Sequence, residues 1–177
     1  MEKSAKEIAY VGVTVALLIG SQFVLSAISG IEVVTVIFAL YCFVFGVIRG
    51  LTVATTFSLV RCLAFGFFPQ VLLLYLIYYN LFAFCVGVLG KAIKNRTLWL
   101  KIVFLTILTC TLTVGFTVLD NILNVLLFSL SPTAASVYFA QSIPTMITQL
   151  ICVGVTVPLL FYPLYRAFTA VKNTLPN

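Results

Sequence analysis

Histidine is absent from this 177-residue chain, and only four acidic residues stand against ten lysines and arginines. Without histidine the chain lacks the commonest metal ligand and the usual proton shuttle of enzymes. A GxxxxGK[ST] phosphate-binding loop is also missing, so we expect no ATP site and no cofactor in this chain. An intramembrane enzyme would need paired acids, a metal cluster or an activated nucleophile, and the sequence predicts none of these.

Charged residues are scarce as well, at 8% of the chain, while 63% of residues are hydrophobic. This leaves too little polar surface for a soluble domain of this length. The net charge of +6 is explained by membrane orientation and contact with anionic lipid headgroups, so we predict no nucleic-acid partner. The five cysteines form no CxxC pair, a pattern typical of small buried apolar residues.

Long apolar stretches are what the chain does contain, and they predict an all-α integral membrane protein. We expect a single domain, residues 1–177, with six transmembrane helices in a compact bundle. The first stretch has the length of a retained helix rather than of a signal peptide. The predicted spans are Ile8–Ile28, Val33–Ile48, Leu51–Gly66, Val71–Leu89, Ile102–Leu119 (with an extension to about Leu130 as an alternative) and Ile143–Tyr165.

The distribution of positive charge predicts the orientation of these spans. Every lysine and arginine except Arg61 lies near the N-terminus, at Arg49, between Lys91 and Lys101, or near the C-terminus. In a six-span arrangement these places share one side of the membrane, and cytoplasmic connections carry the excess of positive charge. The sequence therefore predicts that both termini are cytoplasmic.

The segment from Asp120 to Gln141 is the longest predicted connection between spans, and it lies on the outer side. Long segments at a membrane face often act as lids or binding loops, and a simple connector is the alternative.

Arg61 is the exceptional charge, because it lies inside an apolar stretch. A charged side chain at membrane depth costs about 2.5–3.5 kcal/mol on insertion scales, so Arg61 must face protein or water. Two interpretations stay open, a structural ion pair or carbonyl clamp and a contact to a ligand. Asp120 and Glu32 are the acids that we consider as its partner.

Polar and aromatic residues cluster with Arg61 in the predicted outer half, where aromatic walls with a few polar groups favour a small-molecule pocket. Tyr75 and Tyr79 share a helix face and are suited to stack on a flat ligand. The inner halves are mainly apolar, which favours capture of a ligand over a complete transport path. The predicted substrate-binding residues are Glu32, Arg61, Tyr75, Tyr79, Asn80, Asp120, Asn124, Tyr138 and Gln149.

Small residues line one face of the first predicted helix: Ala9, Gly12, Ala16 and Gly20. Such a stripe lets another helix approach closely. The stripe serves either for packing within the bundle or for docking onto a partner membrane protein.

Three short motifs resemble those of the substrate-binding S components of energy-coupling factor (ECF) transporters. They are Ile8–Leu17 (IAYVGVTVAL), Gly30–Thr35 (GIEVVT) and Gly46-x-x-x-Gly50. The likeness extends along the whole chain in length, in the six-span topology and in the basic inner loop between spans four and five.

The resemblance implies a multi-pass protein of the plasma membrane, of bacterial type, that captures a vitamin-like molecule from outside. Its partners would be a transmembrane coupling protein and two ATPase subunits, which hydrolyse the ATP. A small-residue motif on the first helix contacts the coupling protein in that family, and here Gly12 and Ala16 have the matching spacing. A queuosine precursor, a vitamin B6 form, pantothenate or another water-soluble vitamin would be the substrate.

Two other functions remain as alternatives. A stand-alone secondary transporter would accumulate substrate without partners, driven for example through Glu32 or Asp120. A ligand-free membrane assembly protein would use Arg61 and Asp120 as a structural pair.

Overall fold

The computed structural model describes residues 2–25 and 33–174, with side chains from Lys6 onward. All regular secondary structure within these ranges is helical. The helices are α1 (Glu2–Leu25), α2 (Val34–Phe45), α3 (Val47–Phe65), α4 (Pro69–Ala92), α5 (Leu98–Leu127) and α6 (Pro132–Thr174).

Five stretches of helix in the described residues are long and apolar enough to cross a membrane: Lys6–Leu25, Val47–Phe65, Pro69–Ala92, Leu98–Leu127 and Pro132–Thr174. The exception is α2, whose 12 residues extend over about 18 Å, less than the roughly 30 Å of a hydrocarbon core. The prediction of a helical, multi-pass membrane protein therefore agrees with the structure, whereas a sixth crossing would depend on this short helix.

Helix α2 forms the centre of the bundle. Every residue from Val34 to Val44 is buried, because the helix is apolar on all sides and is enclosed by its neighbours. Its Phe38 ring lies 5.3 Å from that of Tyr79 on α4, and its Phe43 ring lies 6.0 Å from that of Phe161 on α6. The outer helices thus pack around a short apolar rod.

Glycines let the chain turn and pack at the end of α2. Gly46 alone separates α2 from α3, and its φ of +85° lies in the region that favours glycine. A Cβ on Gly87 of α4 would lie 2.7 Å from the backbone nitrogen of Val47, and one on Gly90 would overlap the carbonyl oxygen of Phe43. Helix α4 therefore contacts the backbone of this junction directly.

The starts of α1, α3 and α5 and the ends of α2, α4 and α6 meet at one end of the bundle, here called the basic end. Arg49 of α3 forms an ion pair with Glu7 of α1 at 2.7 Å. Lys172 of α6 donates a hydrogen bond to the carbonyl oxygen of Val44 on α2. The described basic residues other than Arg61 belong to this end, in agreement with the grouping that the charge pattern predicts.

The prediction of a long connection from Asp120 to Gln141 is wrong. Helix α5 continues to Leu127 and α6 begins at Pro132, so that residues 128–131 make the whole connection. Proline is favoured at the first helical position, since its missing N–H has no partner there in any case. With 43 residues, α6 extends over about 65 Å, more than a bilayer core requires.

The predicted boundary between the second and third spans is also wrong. We expected one span over Val33–Ile48, but the helix breaks at Gly46, and Arg49 lies in the first turn of α3. A single glycine at positive φ is enough to redirect the chain. The segment after the first span, with Gly30 and Glu32, lies outside the described residues.

The contact between α4 and the α2–α3 junction predicts that Gly90→Ala lowers the free energy of unfolding by about 1–3 kcal/mol, because the new methyl group overlaps backbone. Gly115→Ala on α5 is the matched control, since a Cβ there meets nothing within 4 Å. The control should be neutral or stabilising by up to about 1 kcal/mol. Thermal unfolding in detergent measures the stability of both variants. Equal unfolding midpoints would contradict the close approach of α4 to the α2–α3 junction.

Candidate functional site

Arg61 lies in the last turns of α3 among aromatic rings. Its guanidinium carbon is 4.2 Å from the centroid of the Tyr75 ring and 5.3 Å from that of Phe65. The Tyr75 hydroxyl accepts a 3.0 Å hydrogen bond from the side-chain amide of Gln22 on α1. Arg61, Phe65, Tyr75 and Gln22 are here called the Arg61 cluster. A cation over an aromatic face gains about 0.5–2 kcal/mol, more as water is excluded.

Two polar atoms of the Arg61 cluster are buried without a hydrogen-bond partner among the described residues, namely Nε of Arg61 and Oε1 of Gln22. Leaving such a group unpaired costs about 1–3 kcal/mol. Arg61 offers a donor and Gln22 an acceptor, so the cluster presents complementary groups to a polar molecule. Neither Glu7 nor Asp120, the acids whose side chains the structure describes, forms an ion pair with Arg61.

A second polar region lies between α5 and α6, towards the same end of the bundle as Arg61. This α5–α6 cavity has a volume of about 260 Å³. Asn121 donates a 2.8 Å hydrogen bond to Ser142, while its own Oδ1 is buried without a partner among the described residues. The lining residues are Phe116, Thr117, Asp120, Asn121, Tyr138, Gln141, Ser142, Thr145 and Gln149.

Phe116 separates the two regions. Its ring lines the α5–α6 cavity and also lies 6.2 Å from Tyr75 and 4.8 Å from Tyr78, centroid to centroid. Tyr79 lies next to Tyr75, with ring centroids 5.0 Å apart, and both tyrosines are buried. Phe116 therefore contacts both the Arg61 cluster and the α5–α6 cavity.

The structure therefore divides the predicted substrate-binding residues into groups. Arg61, Tyr75 and Tyr79 lie together. Asp120, Tyr138 and Gln149 line the α5–α6 cavity, and Asn124 hydrogen-bonds to the Asp120 carboxylate at 2.9 Å.

Two predicted residues belong to neither group. Asn80 accepts a hydrogen bond from Thr55 and donates one to the carbonyl of Leu76, so it links α3 to α4. Glu32 lies outside the described residues.

Gln22 and Asn121 are site residues that the predicted set omits. Each is an uncharged polar side chain inside a long apolar helix, next to Ser21 or Asp120, and this polar character is the sequence signal by which they could have been found. The contacts of Gln22 with Tyr75 and of Asn121 with Ser142 join different helices, and local sequence patterns do not indicate them. No three His, Cys, Asp or Glu side chains in the described ranges lie close enough to share a metal ion.

The small-residue stripe on α1 faces outward. Ala9, Gly12, Ala16 and Gly20 are all exposed, and a Cβ on either glycine would meet nothing within 4 Å. Packing of this stripe inside the bundle, one of the two interpretations, is therefore wrong for the isolated chain. The stripe is a surface on which another helix can pack closely.

A larger opening at the basic end is absent from the sequence predictions. This basic cleft has a volume of about 1270 Å³ and is lined by residues of all six helices. Its charged lining residues are Glu7, Arg49, Lys91, Lys94, Lys101 and Lys172. Buried aromatic residues, including Phe38, Phe57 and Tyr79, lie deeper in the bundle and belong to its core.

Comparison with protein-family models, with curated proteins and with solved structures found no match for this chain.

Proposed function

We propose that this chain is the membrane-embedded, substrate-capturing subunit of an ECF-type uptake system for a small water-soluble molecule. In this proposal six helices cross the bacterial plasma membrane with the basic end and both termini in the cytoplasm. The Arg61 cluster and the α5–α6 cavity then face outward. A transmembrane coupling protein and two ATPase subunits supply the energy.

The observation that carries the proposal is the buried Nε of Arg61, which has no hydrogen-bond partner among the described residues and lies beside the Tyr75 ring. An arginine that served only as an internal clamp would have its donors satisfied by carbonyls or by a carboxylate. Here the described part of the bundle accommodates a cation in an apolar helix and provides no acceptor for its Nε. A ligand that accepts this hydrogen bond would offset the cost of burying it.

The chemistry of the cluster defines the ligand class. A guanidinium offers paired donors to a carboxylate, a phosphate or a carbonyl-rich ring, and the Tyr75 face favours a flat or partly aromatic molecule. Gln22 and Asn121 each add a buried acceptor that has no partner in ranges 2–25 and 33–174. We therefore propose a substrate with both an acidic or carbonyl group and N–H or O–H donors, as found in several water-soluble vitamins and nucleobase-like precursors.

The outward-facing stripe of small residues on α1 supports the part of this proposal that concerns the coupling protein. Small exposed residues on an apolar helix allow a second membrane helix to approach closely, as a coupling protein would require. A Cβ added to Gly12 or Gly20 would meet no atom of the described residues within 4 Å.

A stand-alone transporter is the second candidate, and the basic cleft is the observation that favours it. A transporter lines its path from both faces, and this bundle has polar openings towards both ends. Uptake of substrate by liposomes that contain this protein alone distinguishes the stand-alone transporter from the capture subunit. Substrate accumulation without partners supports the transporter, and its absence supports the capture subunit.

Arg61→Ala is predicted to weaken ligand binding at least tenfold, because a hydrogen bond to a charged group contributes about 1.5–3 kcal/mol. Isothermal titration of the wild type with a panel of water-soluble vitamins and a queuosine precursor base identifies the ligand. The same titration then compares the affinities of the variants for that ligand.

Arg166→Ala is the matched control for this titration, since Arg166 also lies over an aromatic ring, 5.2 Å from the Tyr162 centroid, but belongs to the basic end. Its affinity should equal that of the wild type. A folded Arg61→Ala protein that binds the ligand as tightly as the wild type would reject the role of Arg61.

Ala16→Leu is predicted to leave ligand binding intact and to reduce co-purification with the coupling protein and ATPase subunits. The larger side chain prevents close helix approach on the stripe without entering the bundle. Ala167→Leu, at an exposed position of α6, is the matched control and should co-purify normally. Equal losses for both variants would show that the stripe is not the docking surface.

A further inference from the structure

The basic cleft concentrates positive charge from distant parts of the chain. Arg49 belongs to α3, Lys91 to the end of α4, Lys94 to the following loop, Lys101 to α5 and Lys172 to α6. Neighbouring cations repel each other, so an opening lined by five of them favours an anion.

Counter-ions within the described part of the chain do not neutralise this charge. Glu7 is the one carboxylate among the lining residues, and it is paired with Arg49 at 2.7 Å. No carboxylate among the described side chains forms an ion pair with Lys91 or Lys94. Their ammonium groups are available to a negatively charged molecule from outside the chain.

The cleft is also open to the apolar exterior of the bundle. Ile8 of α1 and Ile48 of α3 line it, and their side chains are 70% and 82% exposed. In a helical membrane protein such side chains contact acyl chains rather than water. A molecule that occupies the cleft therefore has cations on one side and a lipid-facing apolar wall on the other.

We propose that the basic cleft binds the phosphate group of an anionic phospholipid, with an acyl chain lying along Ile8 and Ile48. Lysine ammonium groups and the Arg49 guanidinium are both good phosphate ligands. A zwitterionic lipid carries the same phosphate but adds a positive headgroup, which the cleft repels. This inference concerns the end opposite to Arg61 and stands independently of the proposed function.

A free phosphate or phosphorylated metabolite has the same charge chemistry and is the other source to be tested. The apolar wall favours the lipid, because a soluble ion gains nothing from Ile8 and Ile48. Cavities for small soluble ligands usually enclose about 300–1000 Å³, and the volume of about 1270 Å³ leaves room for a headgroup together with part of a chain.

The test is native mass spectrometry of the full chain released from nanodiscs that contain equal amounts of phosphatidylglycerol and phosphatidylcholine with identical acyl chains. We expect the wild type to retain phosphatidylglycerol in preference. The double variant Lys91→Gln/Lys94→Gln should reduce this preference about tenfold, since each basic residue near an anionic headgroup contributes to binding.

The matched control is Arg96→Gln/Arg166→Gln, which removes the same charge from the basic end at positions that do not line the cleft. Its preference should equal that of the wild type. Equal loss in both double variants would overturn the proposal, because general surface charge would then account for the binding.

A second experiment adds inorganic phosphate to detergent-purified, lipid-stripped protein and measures whether the phosphate binds. Saturable binding of phosphate with no retention of phosphatidylglycerol would overturn the lipid assignment. No preference between the two lipids in the wild type would overturn it as well. Displacement of retained phosphatidylglycerol only by excess phosphate would support a shared phosphate site within the cleft.

Discussion

The enclosure of α2 is the constraint on which the rest of the structure depends. A helix that is apolar on every side gains most when no face remains open, and Val34–Val44 are buried throughout. This packing requires α4 to approach the α2–α3 junction at backbone distance, which Gly87 and Gly90 allow. The junction lies at the basic end, while the other half of α4 carries Tyr75 towards Arg61.

The two ends of the bundle differ in chemistry, and aromatic residues fill the space between them. Phe57 and Phe38 contact Tyr79 with ring centroids 5.1 and 5.3 Å apart, in edge-to-face arrangements. Among the described residues, the Arg61 cluster holds one cation and two buried polar atoms without partners. The described lining of the basic cleft contains five cations and one carboxylate. The proposed docking of a coupling protein would act on a bundle with two chemically distinct openings.

The features with a local physical signal could be predicted from the sequence. Apolar length indicates the helices, the charge pattern indicates the basic end, and the cost of a charge in an apolar stretch singles out Arg61. The break at Gly46 could not be predicted, because it depends on how α4 packs against the junction. The basic cleft depends likewise on the packing of six helices. The segment after Asp120 contains polar residues and Pro132, so the sequence left both a connection and an extension of the span to about Leu130 open, and α5 continues to Leu127. Local patterns do not report such long-range contacts.

The measurement that tests the central claim most directly is native mass spectrometry of the wild-type protein, gently purified and then incubated with a mixture of water-soluble micronutrients. Capture at the Arg61 cluster predicts one defined small-molecule adduct at a stoichiometry of one per chain, distinct in mass from any phospholipid. A folded protein that stays free of small molecules under these conditions would contradict capture at the Arg61 cluster.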